Sequence, residues 1–418
     1  MKNIVIIGNS AAGVAAIEGI RSRDRESKIT VISDEAYLAY CRCLISNYLS
    51  GTVAEKDLTY RDAKFYKDNN VELLLEKKVE RVDSKKKRII LEDKSQISYD
   101  SLIIATGSSP KIPKELKGVT KRGVFGFRTI KDTKEIITIA SISHTSCVLG
   151  GGLIGLKAAY GLNKRKLDVK VIVKSGRILS QIADKTASEL FLNCFQKNGI
   201  EVMLNTDISE IIGNGDLRAV KLDSGKAIGC SLVIVGKGVA PNIKLISETD
   251  IKTDKGILVD ESMRTSVNDI YAAGDVAETF DLTADKYENN ALWPCAVEQG
   301  RIAGLNIAGE NIKYTGSLGM NSVDFFGLPL VSMGAFDTEL EAASSLDREK
   351  NLYKKLVLKG SRLIGALLVG DIRNSGLYLR LIKEKADISK IKDDLLDANL
   401  SYAKIAELIK KKEEKIYL

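Results

Sequence analysis

Apolar and polar positions alternate in blocks at the start of the chain. From Lys2 to Glu35 the sequence reads "KNIVIIGNSAAGVAAIEGIRSRDRESKITVISDE". An apolar run, a glycine turn, an amphipathic stretch and a β-branched run ending in acids predict strand, turn, helix and strand. This order is typical of a βαβ unit that binds a dinucleotide at the turn.

The glycine turn of this unit departs from the G-x-G-x-x-G pattern at one position. Gly8 permits the tight turn and Gly13 lets helix and strand pack closely, whereas Ser10 stands at the middle glycine. Its small side chain still admits a pyrophosphate at the helix N-terminus. Asp34 or Glu35 is placed to accept hydrogen bonds from a ribose. Alone, the motif is also compatible with a glycine turn that only opens a structural helix.

The same pattern returns in the middle of the chain. "SCVLGGGLIGLKAAYGLNKRKLDVKVIVKSGR" carries the full spacing at Gly150, Gly152 and Gly155. Two dinucleotide units imply two nucleotides, and the usual reason to hold two is hydride transfer between them. Two further turns follow apolar runs, Ala105 to Gly107 and Gly274 to Asp275.

Composition limits the function classes. At 418 residues with 44% hydrophobic residues, the chain predicts two or three domains. Its apolar runs are shorter than the roughly 18 to 20 residues of a membrane span, and the N-terminus resembles a strand rather than a cleavable signal. We therefore expect a cytoplasmic protein without a membrane segment. One histidine and six scattered cysteines without a Cys-x-x-Cys pair argue against a metal site and a disulfide scaffold.

The charge balance gives weaker information. The formal charge of +8 is spread over mixed Lys/Glu segments, which favours a solvated surface over nucleic-acid binding. An acidic protein partner remains compatible with it.

Several ordered motifs resemble one family. G-x-S-x-x-G, A-T-G, G-G-G-x-I-G, G-x-x-P-N from Gly238 to Asn242 and I-Y-A-A-G-D follow one another as in the pyridine nucleotide-disulfide oxidoreductases, the two-dinucleotide flavoproteins. Its branches include rubredoxin reductases, the flavin part of NAD(P)H nitrite reductase, NADH oxidases and coenzyme A disulfide reductases. The resemblance covers the whole chain.

The resemblance implies an α/β fold with two Rossmann-like dinucleotide-binding domains, the NAD(P) domain inserted in the FAD domain. An α+β C-terminal interface domain follows, and a homodimer is expected. In this chain it contains the strand-like runs "YKKLVLKG" and "LIGALLVG" and then Lys/Glu-rich helical segments. The implied boundaries are 1–110 with 235–312 for FAD, 111–234 for NAD(P) and 313–418 for the interface domain.

The resemblance also implies site residues, although simple core packing is the alternative at each, above all at Trp293. The implied FAD-site residues are Gly8, Ser10, Ala11, Ala12, Gly13, Asp34, Glu35, Arg42, Ser46, Val79, Ala105, Thr106, Gly107, Arg128, Gly274, Asp275, Trp293, Glu298 and Gln299. The other implied nucleotide-site residues are Gly150, Gly152, Leu153, Ile154, Gly155, Lys174, Arg177 and Gly238. The cofactors implied are FAD, with NADP or NAD as substrate.

Two lysines depart from the family pattern. Lys157 replaces a glutamate that approaches the nicotinamide, so it either meets an acid, stabilises a reduced anionic flavin or turns to solvent. Lys174 stands where an acid would accept the 2′-hydroxyl of NAD. With Ser175 and Arg177 it suits the 2′-phosphate of NADP, and NADP is favoured without excluding NAD.

The stretch "YCRCLIS" is a hybrid of two branches. It keeps Tyr40, Arg42, Leu44 and Ser46 of the rubredoxin and nitrite reductase pattern. Cys43 falls on the cysteine of the coenzyme A disulfide reductase and NADH oxidase pattern. Cys43, with Arg42 and Lys157, is therefore the catalytic candidate, or it only fills the space of a proline. The resemblance implies that Cys41 points away into the FAD domain, because the relatives accept dissimilar side chains at its position. A Cys41–Cys43 disulfide would be strained.

The function implied is an FAD-dependent NAD(P)H oxidoreductase that exchanges electrons with a small acidic carrier, a ferredoxin-like iron-sulfur protein or a rubredoxin. One alternative is a Cys43-dependent NAD(P)H oxidase or coenzyme A disulfide/persulfide reductase. Another is a non-catalytic FAD-binding redox sensor. The acceptor and the direction of electron flow stay open.

Overall fold

The computed structural model describes residues 1–337, 339–396 and 400–405. Strands form most of the regular structure. They are β1 (Asn3–Ile7), β2 (Lys28–Ile32), β3 (Val71–Leu74), β4 (Val79–Asp83), β5 (Arg88–Leu91), β6 (Gln96–Ser98), β7 (Ser101–Ile104), β8 (Ser108–Pro110), β9 (Val124–Phe125), β10 (Thr145–Leu149), β11 (Asp168–Val173), β12 (Glu201–Leu204), β13 (Ile208–Ile212), β14 (Ala219–Leu222), β15 (Ala227–Gly229), β16 (Leu232–Val235), β17 (Val239–Pro241), β18 (Ile257–Leu258), β19 (Ile270–Ala272), β20 (Ala277–Asp281), β21 (Lys286–Glu288), β22 (Met320–Phe325), β23 (Leu328–Gly334), β24 (Ala342–Asp347), β25 (Leu352–Lys359) and β26 (Arg362–Val369).

Helices connect these strands. They are α1 (Ala11–Arg21), α2 (Ile45–Ser50), α3 (Ala63–Asp68), α4 (Ile130–Ala140), α5 (Leu153–Lys164), α6 (Lys185–Lys197), α7 (Trp293–Ile307), α8 (Ser375–Lys383) and α9 (Tyr402–Ile405), with 3-10 turns at Arg42–Leu44, Glu55–Leu58, Lys244–Ile246 and Ser389–Asp394.

Two parallel sheets contain the glycine motifs. The first has the order β19-β7-β1-β2-β3 and the second the order β12-β11-β10-β16-β9. Strands β1, β7, β10 and β16 are buried along nearly their whole length, as central strands covered on both faces require. The predicted pair of Rossmann-like βαβ units is confirmed.

Two short antiparallel strands, β8 and β17, join the parallel sheets. The chain leaves the first sheet through β8 and returns to it after β17. A division at 1–110, 111–234 and 235–312 agrees with this path, and we keep it as our proposed domain boundary.

A five-stranded antiparallel sheet, β22-β23-β26-β25-β24, forms the C-terminal part of the fold with α8 packed on it. Its edge rests on the second parallel sheet's domain, where the ring of Phe325 contacts those of Phe191 and Phe195. The sequence predicted two of these strands, β25 and β26, and helical segments after them. The Lys/Glu-rich end at 406–418 lies outside the described residues. In the described part of the chain no helix has the length and apolarity to cross a bilayer.

Candidate functional site

The first glycine turn is packed without spare room. A Cβ on Gly8, whose φ is +119°, would lie 2.0 Å from the carbonyl oxygen of Ala105, and one on Gly13 would lie 2.0 Å from that of Gly8. No side chain among the described residues caps α1, so its first amides are open to an anion. Beside them the buried Asn9 Nδ2 lacks a described hydrogen-bond partner. These features fit a pyrophosphate.

The acids after β2 line the edge of a cavity of about 830 Å³, together with Lys78, Leu91 and Lys131. Asp34 is exposed. Glu35 accepts a 2.7 Å hydrogen bond from the Tyr40 hydroxyl and pairs with Arg42. Val79 begins β4 directly after Lys78 and packs toward the core of the first parallel sheet. The cavity therefore combines carboxylate acceptors with an apolar wall, as an adenosine requires.

Arg42 ties three segments of the site together. Its Nε donates to Ser10 Oγ at 3.3 Å and its Nη1 to the carbonyl oxygen of Arg128 at 3.2 Å. Its guanidinium lies 4.9 Å from the Tyr40 ring centroid. Burial raises the pKa of Tyr40, which therefore stays protonated and donates to Glu35.

Asp275 lies at the opposite end of the site. Its carboxylate accepts a 2.8 Å hydrogen bond from Ser108 Oγ and forms an ion pair with Arg128. The backbone amide of the preceding residue, Gly274, donates a 2.8 Å hydrogen bond to Oε1 of the buried Gln299. Gln299 therefore fixes the backbone at Asp275, a role for this residue that the motif did not specify.

The other α7 residues and Ser46 take different positions. Trp293 packs edge-on against Tyr60, with ring centroids 5.2 Å apart. Glu298 is exposed, with Lys383 of α8 as a neighbouring charge. Ser46 is buried within α2.

Two of the turns singled out by the sequence motifs hydrogen-bond to each other. Thr106 Oγ1 donates to the carbonyl oxygen of Asn242, and Asn242 Nδ2 donates to that of Thr106, both at 2.9 Å. Gly238 accepts from the Lys111 amide at 2.9 Å, and no described atom lies within 4 Å of a Cβ on Gly107. These turns hold together the two connections between the parallel sheets.

The second glycine turn repeats the geometry of the first. A Cβ on Gly150 would lie 2.4 Å from the carbonyl oxygen of Gly236, and one on Gly155 would lie 2.2 Å from that of Gly150. Gly152 precedes α5, whose N-terminus carries no side-chain cap from the described residues. Leu153 and Ile154 form its first turn and are half-buried. A second dinucleotide pyrophosphate fits here.

Lys174 and Arg177, the residues predicted to choose between NADP and NAD, already have acidic partners. Lys174 Nζ lies 3.6 Å from Asp207, which also pairs with Lys237 at 2.9 Å. Arg177 pairs with Asp337 at 2.5 Å. Sequence reasoning missed Asp207, Lys237 and Asp337. Asp207 follows β12, next to β11 in the sheet, and that adjacency was the available signal.

Two cysteines and a lysine come together at the start of α2. Cys41 and Cys43 are free thiols in the described part of the chain, Cys43 exposed and Cys41 half-buried. Each thiol shifts the pKa of the other, and the charge of Lys157 lowers the pKa of both. Cys41 directly precedes the 3-10 turn Arg42–Leu44, and the expectation that its side chain points away into the FAD domain stays a prediction.

The pKa values of the two thiols are shifted in opposite directions. The hydrogen bond from Cys43, the amides of Cys43 and Leu44 and the charge of Lys157 lower the pKa of Cys41 to about 6. The same hydrogen bond raises the pKa of Cys43, and burial lowers that of Lys157. The pair therefore carries one negative charge beside a lysine at neutral pH.

Helix α5 brings Lys157 to the thiols through its contact with α2. Gly161, one turn after Lys157 on the same face, meets the side chain of the buried Leu49. Arg165, one turn further, donates to the carbonyl oxygen of Leu49. The charge of Lys157 lowers the pKa of both cysteine thiols, and which of its three predicted roles it takes stays a prediction.

Comparison with known families places the chain. Residues 2–300 match the family described as pyridine nucleotide-disulphide oxidoreductase, and residues 320–386 match the rubredoxin NAD+ reductase C-terminal domain. The chain belongs to the pyridine nucleotide-disulphide oxidoreductase family. Its members are FAD-dependent NAD(P)H oxidoreductases, so the predicted family, fold class, FAD and NAD(P)H are confirmed.

Curated relatives match most of the chain. It is 34% identical to the nitrite reductase [NAD(P)H] of Bacillus subtilis (strain 168), covering 93% of this chain and 48% of that protein. It is 30% identical to the rubredoxin-NAD(+) reductase of Pseudomonas putida, covering 89% of this chain and 97% of that protein. The chain thus spans about half the length of the first relative and almost all of the second.

Solved structures agree with the fold. A NAD-dependent persulfide reductase from A. fulgidus has a TM-score of 0.86 at 27% identity, with 96% of this chain and 79% of that chain covered. The reductase in a covalent putidaredoxin reductase–putidaredoxin complex has a TM-score of 0.90 at 23% identity, with 98% and 99% covered. The second comparison shows the fold alone.

Proposed function

We propose that this chain transfers electrons from NAD(P)H through FAD to a small electron-carrier protein, an iron-sulfur protein of the ferredoxin type or a rubredoxin. The observation that carries the proposal is the match of residues 320–386 to the rubredoxin NAD+ reductase C-terminal domain. A rubredoxin-NAD(+) reductase that this chain covers over 97% of its length supports it. The formal charge of +8 suits an acidic carrier.

The residues divide the work of holding the two nucleotides. In this proposal the open amides of α1 and α5 bind one pyrophosphate each, and Asp34 or Glu35 binds a ribose. Arg42 and Arg128 supply positive charge between these ends, and Asp275 supplies an acceptor. FAD, when bound, accepts a hydride and releases electrons singly.

Coenzyme choice, assembly and location belong to the same proposal. Lys174 and Arg177 favour the 2′-phosphate of NADP, the C-terminal sheet joins two copies of the chain, and the protein works in the cytoplasm.

The test is anaerobic reduction of the purified protein with its FAD. Addition of NADPH or NADH should bleach the flavin absorbance, and a ferredoxin or rubredoxin added next should restore it while becoming reduced itself. A flavin that bleaches but leaves both carriers oxidised contradicts the carrier proposal. A flavin that neither coenzyme bleaches supports the redox-sensor alternative.

A second candidate function, thiol-dependent reduction, is favoured by the cluster of Cys41, Cys43 and Lys157. Cys43→Ser should leave reduction of a carrier largely intact, because that step needs no thiol. A loss of about a hundredfold in carrier reduction would favour the thiol-dependent function instead.

A further inference from the structure

We infer that Asp207 is a coenzyme-specificity residue that opposes the 2′-phosphate of NADP, and that Lys237 is a second cation for this phosphate. The inference deepens the proposed function and rests on it for the use of the second glycine turn by NAD(P)H. It adds two residues to Lys174 and Arg177, the pair that the sequence indicates.

Asp207 and Lys237 lie on opposite sides of the strand that precedes the second glycine turn. The chain builds this sheet outward from β10 through β11 and β12, and it then returns to the other side of β10 as β16. Such a reversal of strand order marks the crevice where dinucleotides bind, outside the carboxyl ends of the strands. Asp207 follows β12 and Lys237 follows β16, so the two residues flank this crevice.

The chain after β12 bends back over the end of β11. The Thr206 amide donates to the carbonyl oxygen of Val173 at 3.0 Å, and the Asn205 amide donates to that of Ser175 at 3.3 Å. Three strand intervals separate β12 from β16, which is about 14 Å in a flat sheet. The bend therefore carries the Asp207 carboxylate toward the crevice.

This one carboxylate meets two ammonium groups. Lys237 Nζ donates to both oxygens of Asp207, at 2.9 Å and 3.2 Å, and Lys174 Nζ lies 3.6 Å from Oδ2. The side chains of Asp207 and Lys237 are 21% and 28% exposed, so solvent screens their charges less than those of a surface pair. Asp207 therefore cancels part of the positive charge that a 2′-phosphate needs.

The neighbouring strand thus supplies the acid that the end of β11 lacks. A carboxylate at this edge of the sheet repels a phosphate, and NADP must separate Asp207 from both lysines to bind them. NAD carries no 2′-phosphate and leaves the network intact. We therefore expect the wild-type chain to accept both coenzymes, and a single substitution at Asp207 to make it selective for NADP.

Binding of two nucleotide fragments to the FAD-loaded protein tests the inference without hydride transfer. Adenosine 2′,5′-bisphosphate carries the 2′-phosphate, and 5′-AMP lacks it. In Asp207→Asn, calorimetry should show at least tenfold tighter binding of the bisphosphate, because both lysines become free for charge-assisted contacts. Binding of 5′-AMP should change less than threefold. An equal change for both fragments, or no change for either, would overturn the inference.

Two further variants use the same assay. Asp207→Glu keeps the charge and should bind both fragments within about threefold of wild type. Adding Lys237→Met to Asp207→Asn restores the wild-type net charge of the network, so the bisphosphate affinity should return to within about threefold of wild type. A double variant that keeps the full gain would remove Lys237 from the phosphate site.

Asp168→Asn is the matched control. Asp168 begins β11, the strand that ends just before Lys174, and its carboxylate also lies beside a lysine, 3.5 Å from Lys170 Nζ. The substitution removes the same charge roughly 20 Å from Lys174 along the strand. It should leave both affinities unchanged. A gain as large as that of Asp207→Asn would show that net charge decides the effect, and would overturn the assignment of Asp207.

Steady-state kinetics separates this inference from the proposed function. Asp207→Asn should raise the ratio of kcat/KM for NADPH over NADH at least tenfold, mainly through the KM for NADPH. If the fragments bind as expected and neither coenzyme bleaches the flavin, the oxidoreductase proposal fails while the assignment of Asp207 stands. If both coenzymes bleach the flavin and the ratio in Asp207→Asn equals that of wild type, the assignment fails while the proposed function stands.

Discussion

Gly161 of α5 lies so close to Leu49 of α2 that a Cβ on the glycine would fall 2.9 Å from Leu49 Cγ. Leu49 is fully buried, so its side chain has little space into which it could move away from an added Cβ. The contact joins the helix after the two cysteines to the helix that carries Lys157.

Substitution at this contact should loosen the thiol site. We expect Gly161→Val to lower the free energy of unfolding by about 1 to 3 kcal/mol, because overpacking of a closed core costs that much. Urea unfolding of the purified protein measures it. In a Leu49→Ala background the same substitution should cost less than half as much, and equal costs in both backgrounds would show that the contact does not decide the effect.

A single added methyl group in the first glycine turn should release the flavin. Wild type should purify yellow, with about one FAD per chain. Gly8→Ala should lose FAD, because the new Cβ would lie 2.0 Å from the Ala105 carbonyl oxygen. The ratio of flavin to protein absorbance measures this. Gly309→Ala is the matched control, since Gly309 also has a positive φ, +99°, but no described atom within 4 Å of its Cβ. Comparable loss in both variants would contradict the role of close approach.

Coenzyme preference should respond to changes at Lys174 and at Asp337, the acidic partner of Arg177. Lys174→Glu should shift the ratio of kcat/KM for NADPH over NADH about tenfold toward NADH, the value of one charge-assisted phosphate contact. Asp337→Asn should shift it toward NADPH, because it releases Arg177. Steady-state kinetics with both coenzymes measures the ratios. Lys221→Glu, at an exposed position of β14, should leave the ratio unchanged. Unchanged ratios in Lys174→Glu would remove Lys174 from the coenzyme site.

The thiol pair should titrate near neutral pH. Because Cys43 and Lys157 lower the pKa of Cys41 to about 6, its thiolate should be present above that pH and protonated below it. Alkylation of Cys41 by iodoacetamide should therefore rise to half its maximum near pH 6, and in Cys43→Ser that midpoint should move upward. Peptide mass spectrometry follows the rate. A midpoint near 9.0, the ordinary value, would contradict the shared hydrogen.

The sequence predicted the parts of the site whose chemistry is local. Gly8, Gly13, Gly150 and Gly155 lie where their motifs indicate, because the turn between strand and helix is set by neighbouring residues. The effect of the Lys157 charge on the pKa of Cys41 joins segments far apart in the sequence and depends on the packing of α5 on α2. The pairing of Arg177 with Asp337 likewise requires the C-terminal sheet to be in place. Such contacts carry no periodic signal, so pattern reasoning misses them.

The α2–α5 contact also bears on protein engineering. Helix α5 contacts Leu49 of α2 through Gly161 and Arg165 and carries Lys157. The segment between β8 and β17 therefore cannot be exchanged by itself between relatives. A chimaera that takes this insertion from a relative would bring a foreign helix face against Leu49 and the cysteines. To preserve the thiol environment, such a graft must exchange residues 39–51 together with α5.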